Sequence, residues 1–112
     1  MKVFNREISL KASQVATAAS GAATLHFSLG KVTSESITTA AAGEYTLTLT
    51  NSRIKSSSIV MASVALGSAT TGTPGIGGVT PGNGSVVITI TNLHASAAFN
   101  GTVVVSFWVL NA

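Results

Sequence analysis

The chain has 112 residues, 46% of them apolar and only 8% charged, with a net charge of +3 and no cysteine. That length supports one domain around one core, and the missing cysteines exclude disulfides and thiolate metal sites. The basic residues form no cluster, which argues against the cation-lined face needed to neutralise nucleic-acid phosphates.

The charges are also unevenly placed. All the basic residues (Lys2, Arg6, Lys11, Lys31, Arg53 and Lys55) and all the acids (Glu7, Glu35 and Glu44) lie at or before Lys55. From Ser56 onward the only titratable side chain is His94, and the chain has no Asp. Soluble domains average roughly 25% charged residues. A monomer with half its sequence uncharged has little to keep its surface from sticking, so the composition favours burial of some surface against other chains.

Residues 1–11 are expected to form an arm or an edge strand, combining Lys2, Arg6 and Lys11 with Val3 and Phe4. The segment lacks the apolar core of a signal peptide, and no run approaches the ~18 apolar residues of a membrane-spanning helix. A β-sandwich domain is expected over residues 12–112. Its first stretch, residues 12–23, is ambiguous: the alanines permit a helix, while Thr17, Ser20 and Gly21 oppose a long one. Strands are predicted near residues 23–29 and 31–39.

The clearest pattern is strict alternation. Tyr45, Leu47 and Leu49 alternate with Thr46, Thr48 and Thr50; Val86, Ile88 and Ile90 alternate with Val87, Thr89 and Thr91. Period two in β-branched residues marks half-buried strands. Residues 59–66 and 102–110 are apolar on both faces, as suits strands at the centre of a sandwich or strands whose outer face meets another chain. In the last strand Val103, Val105, Phe107 and Val109 share one face, and Val104, Trp108 and Leu110 the other. Residues 67–84 hold both prolines and many glycines and read as a long loop, with a short strand near residues 76–79. Asn83-Gly84 and Asn100-Gly101 read as hairpin turns with positive φ at successive positions. The two alternating strands each end in Asn, at Asn51 and Asn92, and a shared strand-exit turn accounts for that likeness without a duplication. Seven or eight short strands with regular turns indicate an all-β, single-domain β-sandwich, as a jelly roll or related Greek key.

No chemical constellation emerges. Two His, three Glu and many Ser supply parts for a nucleophilic triad, but no Ser lies in a recognisable elbow. His26, between Leu25 and Phe27, reads as a hydrogen-bonded strand residue and His94 as a loop residue; neither shows ligand spacing with Glu35 or Glu44. The glycines of residues 72–78 lead into Val79-Thr80-Pro81 rather than the Gly-Lys-Ser/Thr and helix of a phosphate loop. No catalytic, metal or cofactor-binding residue is assigned.

Residues 32–43 and 45–52, then Thr71-Gly72-Thr73-Pro74, residues 81–85, Asn92-Leu93-His94-Ala95 and Asn100-Gly101-Thr102, together resemble small structural proteins of bacteriophages, the capsid decoration or cement proteins. The resemblance covers roughly three quarters of the chain and rests on turn and strand signals. It implies a jelly-roll or related sandwich, acting without catalysis as a homotrimer that bridges capsomers on the outer surface of the virion. The implied partners are a second and third copy of the chain and the major capsid protein, with no nucleic acid or membrane. Lys2, Val3, Phe4, Arg6 and Lys11 are the candidate capsid contacts; Val104, Trp108 and Leu110 are the candidate intersubunit contacts. Tail-associated proteins carry similar domains, so a glycan-binding tail or fibre module is the alternative, using the residue 67–84 loop or the His94 loop with Phe99.

Overall fold

The computed structural model describes residues 11–111. A 3-10 turn, Ala12–Gln14, leads into eight strands: β1 Val15–Thr17, β2 Ala22–Thr24, β3 Leu29–Thr33, β4 Glu44–Thr50, β5 Ile59–Leu66, β6 Pro74–Gly82, β7 Ser85–Asn92 and β8 Val103–Leu110. They form two four-stranded sheets packed as a β-sandwich. Sheet A has the order β1-β3-β8-β5 and sheet B the order β2-β4-β7-β6. β1 runs parallel to β3 and β2 parallel to β4; all other pairs are antiparallel.

Every connection crosses between the sheets except the β6–β7 hairpin. Among the last six strands, the first pairs with the last (β3 with β8) and the second with the fifth (β4 with β7). β5 and β6 then close the roll side by side across the two sheets. That nested order is the jelly-roll form of the Greek key.

Alternation in sequence becomes alternation in burial. Leu47 and Leu49 of β4, and Val86, Ile88 and Ile90 of β7, are all buried, while the threonines between them face out. Val103, Val105, Phe107 and Val109 of β8 close the core from sheet A. Leu25, Ile37, Ile54 and Phe99 join from the connections between strands. Each large side chain moved fully out of water stabilises the fold by about 1.5–3 kcal/mol.

Four local readings are settled or corrected. Residues 12–23, ambiguous in the sequence, hold the 3-10 turn, β1, a tight reversal and the start of β2. In that reversal Ala19 and Ala22 exchange both backbone hydrogen bonds (2.9 and 3.0 Å), while Ser20 and Gly21 both adopt positive φ. Its glycine is required twice over, since a Cβ on Gly21 would also lie 2.7 Å from the Thr46 carbonyl oxygen. The early strands are shorter than expected, because residues 34–43 spend their length crossing from sheet A to sheet B.

Half of the long loop over residues 67–84 is a strand. β6 pairs with β7 from Pro74 to Gly82, with a register shift between Ile76 and Gly78. Two prolines and several glycines are tolerated because β6 is an edge strand, whose open side needs no N–H donors, and because glycine accommodates the bulge. The fourth correction concerns the Asn-Gly pairs. At Asn83-Gly84 only Gly84 has positive φ. Asn100-Gly101 makes no hairpin: Gly101 bridges Ile37, and a Cβ there would lie 2.7–3.0 Å from Ser68 and Ala69. It is a close-approach glycine. Asn100 meanwhile uses its Oδ1 to accept the N–H groups of Thr70 (2.7 Å) and Thr71 (3.2 Å).

Candidate interaction face

The polar side chains that carry chemistry in other proteins are committed here to holding loops. The Nδ1 of His94 accepts the N–H groups of Ser96 (3.0 Å) and Ala97 (2.9 Å), and that of His26 accepts the N–H of Ser52 (3.0 Å). Glu35 accepts the Tyr45 hydroxyl proton on one oxygen (2.7 Å) and the Gly21 N–H on the other (2.9 Å), tying the β1–β2 reversal to β4. Burial, then the hydrogen bond and charge of Glu35, push the Tyr45 hydroxyl well above the usual tyrosine range. Among the described residues, no three His, Asp or Glu side chains converge to hold a metal ion.

The two buried asparagines are the strongest pins. Asn92 is fully buried and uses every position of its amide. Its nitrogen donates to the carbonyls of Thr39 (3.1 Å) and Ala97 (2.9 Å), and its oxygen accepts from Thr73 (3.1 Å) and His94 (3.1 Å). Asn51, also fully buried, donates to the Phe27 carbonyl (2.6 Å) and accepts the Arg53 N–H (3.0 Å). In both, the side-chain oxygen takes the N–H two residues on, the Asx turn that ends the strand. The likeness of the two strand ends is therefore a shared exit turn.

With these groups accounted for, the outer faces of the sheets remain. Register fixes the rows across sheet A: Ile59 beside Leu110; Met61 beside Trp108 and Leu29; Ser63 beside Ser106, Lys31 and Val15; Ala65 beside Val104, Thr33 and Thr17. Ile59 is 61% exposed and Trp108 47%, whereas Phe107, its neighbour in sequence, is 2% exposed. Met61, Leu110 and Val15 are exposed as well. Lys31 is the only charged side chain in these rows. A shallow open hollow of about 250 Å³ is lined by Leu29, Met61, Ala62, Ser63, Ser106, Phe107 and Trp108.

Sheet B differs. Its rows run Thr24, Thr50, Ser85; Ala22, Thr48, Val87, Thr80; Thr46, Thr89, Gly78; and Glu44, Thr91, Gly75. Hydroxyl groups cover most of it; Val87 is exposed on β7, and Leu93, 65% exposed just past the end of β7, lies against Gly75 of β6.

Comparison with known proteins returns nothing. No family model, no curated protein and no solved structure matches the chain.

The candidates named from sequence fall in different places. Lys2, Val3, Phe4 and Arg6 lie outside the described residues; Lys11 is exposed just before the 3-10 turn. Val104 is half-buried, while Trp108 and Leu110 are exposed, and all three share the outer face of sheet A. Ile59 and Met61 of β5, a strand apolar on both faces, belong with them. The signal for them is the outward parity of β5, which becomes useful only once β5 is known to pair with β8. The glycan-binding loops offer less than expected: half of the residue 67–84 loop is β6, Phe99 is 1% exposed, and His94 is occupied by its own loop.

Proposed function

We propose that this protein is a non-catalytic virion structural protein that decorates a bacteriophage capsid, binding across capsomers as a homotrimer and stabilising the shell. The observation that carries this reading is the apolar outer face of sheet A on a chain with so little charge. An exposed apolar surface of this kind marks an interaction site, and the buried polar groups serve the fold. Binding only the assembled shell stabilises it by mass action. Residues 1–11 are proposed to reach the capsid, since they hold three of the six basic residues together with Val3 and Phe4.

Quantitative mass spectrometry of purified virions tests this. The expected copy number ranges from one chain per few major capsid chains up to parity; a handful per particle points to the tail, and absence overturns the reading. Deleting residues 1–10 is expected to abolish shell binding and leave the sandwich folded, and undiminished binding removes the arm assignment.

One observation favours a second reading, a tail or fibre module that binds a host glycan. Trp108 stands exposed in a shallow hollow that Ser63 and Ser106 also line, and an aromatic face with nearby hydroxyls can stack on a sugar. A glycan-array hit lost in Trp108→Ala supports it; an array without hits removes it.

A further inference from the structure

Folding gathers charges that the sequence scatters. We infer that the end of the sandwich carrying Lys11, Arg53 and Lys55 is its docking end, and that it recognises a carboxylate-rich protein surface on the capsid shell. The inference rests on the capsid reading and deepens it, naming the folded residues that meet the shell and the chemistry they meet there.

Hydrogen bonds fix the positions. Arg53 and Lys55 lie in the connection from β4 to β5. Asn111 Nδ2, just past β8, donates to the Arg53 carbonyl (3.0 Å), and Asn51 Nδ2 donates to the Phe27 carbonyl (2.6 Å). The Arg53 guanidinium stands 5.9 Å from the centre of the Phe27 ring, a cation–π contact that holds it at this end. Lys11 joins them from the β1 edge. Its N–H donates to Gln14 Oε1 (3.2 Å), and Gln14 Nε2 donates to the carbonyl of Leu29, where β3 begins (3.0 Å). All three cations are exposed. Lys2 and Arg6 belong to residues 1–10, which join the described chain at Lys11.

The acids lie elsewhere. Glu35 follows β3 and Glu44 opens β4, both at the opposite end of the sandwich. The eight residues of β8 separate the two ends, about 26 Å at the usual strand rise. That exceeds the ~8 Å screening length at physiological salt, so the acids do not neutralise the cations. Among the described residues, no acidic side chain lies at the basic end. A surface that serves solubility alone intersperses the two signs.

The neighbouring surface narrows the kind of anion. Ile59 and Leu110 form the row of sheet A closest to Arg53, with Met61 and Trp108 in the row behind, and all four are exposed. An apolar centre with a charged border is the anatomy of a protein–protein interface. A nucleic acid calls instead for a stripe of cations along its phosphates. Opposite charges on chain and shell steer their encounter and set the register of docking.

The experiment is co-sedimentation of the full chain with purified shells at increasing salt. Binding is expected to weaken as salt rises. A double variant, Arg53→Gln with Lys55→Glu, is expected to bind roughly tenfold more weakly at low salt and to depend less on salt. Lys55→Glu alone is expected to weaken binding roughly threefold. Its side chain is exposed, so it keeps the test alive where loss of the Arg53–Phe27 contact disturbs folding. Glu44→Gln, at the opposite end, is expected to change nothing. Amidating the shell carboxylates with a carbodiimide and ethanolamine is expected to abolish binding of the unaltered chain.

Shell binding that the variants and the amidation all leave intact overturns this inference and keeps the capsid reading. Loss in the variants with binding kept after amidation overturns the carboxylate partner. Retention on duplex DNA or on phosphatidylserine vesicles at the same salt, with the same loss in Lys55→Glu, also overturns it, because the end then reads anionic charge of any kind. Failure to bind shells at any salt sinks the capsid reading and this inference with it.

Discussion

The two outer faces of this sandwich handle the same shortage of charge in opposite ways. Sheet B covers itself with hydroxyls: Thr46, Thr48, Thr50, Thr89 and Thr91 present side chains that favour the extended backbone and still hydrogen-bond to water. Sheet A places Ile59, Met61, Trp108 and Leu110 outward, with Lys31 the only charge in its rows. Below them the interiors are alike, alternating large apolar residues in both sheets. A charge-poor chain can thus carry one hydroxyl-covered face and one apolar face, and low charge by itself does not say which face is which.

The largest expected effect tests whether both faces belong to one cooperative unit. Asn92→Ala strips partners from the carbonyls of Thr39 and Ala97 and the N–H groups of Thr73 and His94. At ~1–3 kcal/mol for a buried group left unpaired, the loss is roughly 3 kcal/mol or more. Asn51→Ala, with two such bonds, is expected to cost less. Trp108 reports sheet A, and the single tyrosine, Tyr45, reports sheet B. Denaturant unfolding followed by both probes is expected to give coincident transitions shifted by the same amount; separate transitions would show that the sheets unfold apart.

The next effect sharpens the contrast between surfaces. Lysine at Met61 is expected to weaken any concentration-dependent association roughly tenfold or more, and lysine at Thr89 to leave it alone. Equal sensitivity of the two faces by sedimentation would erase the distinction drawn between them.

A smaller effect belongs to the sheet B side alone. The Tyr45 hydroxyl is held above its ordinary value of about 10 by burial and by Glu35. Above that value the unfolded chain loses its tyrosine proton while the folded chain keeps it, so stability is full below it and falls as pH rises beyond it. Tyrosinate absorbance is expected to appear with unfolding rather than in the native protein, and Tyr45→Phe to flatten the alkaline loss of stability. A native-state titration near the ordinary value would contradict the Glu35 arrangement. The smallest change is expected from His94→Ala: its loop is half-exposed and water can replace the imidazole, so thermal unfolding should shift by no more than the equivalent of about 1 kcal/mol.

Much of this was legible in the chain because strand periodicity is a local property. The alternations in residues 45–50 and 86–91 mark β4 and β7 without any knowledge of their partners, and adjacency alone sends Phe107 and Trp108 to opposite faces. The Asn at each strand end likewise announced its exit turn. By contrast, residues 74–82 carry a composition that reads as loop, and they become β6 only because β7 offers a hydrogen-bonding edge.

The sequence by itself determined the all-β class, the inward and outward sets of the long strands, and how little charge the chain carries. Tertiary structure decided which outward sets share a face. β5 and β8 are far apart in the chain, and their pairing puts Met61 beside Trp108 and Ile59 beside Leu110. The same folding consumed the histidines, Glu35 and the buried asparagines in holding loops. The reason is physical: a side chain's direction follows from its own backbone, but its neighbours follow from which distant strands close the sheet.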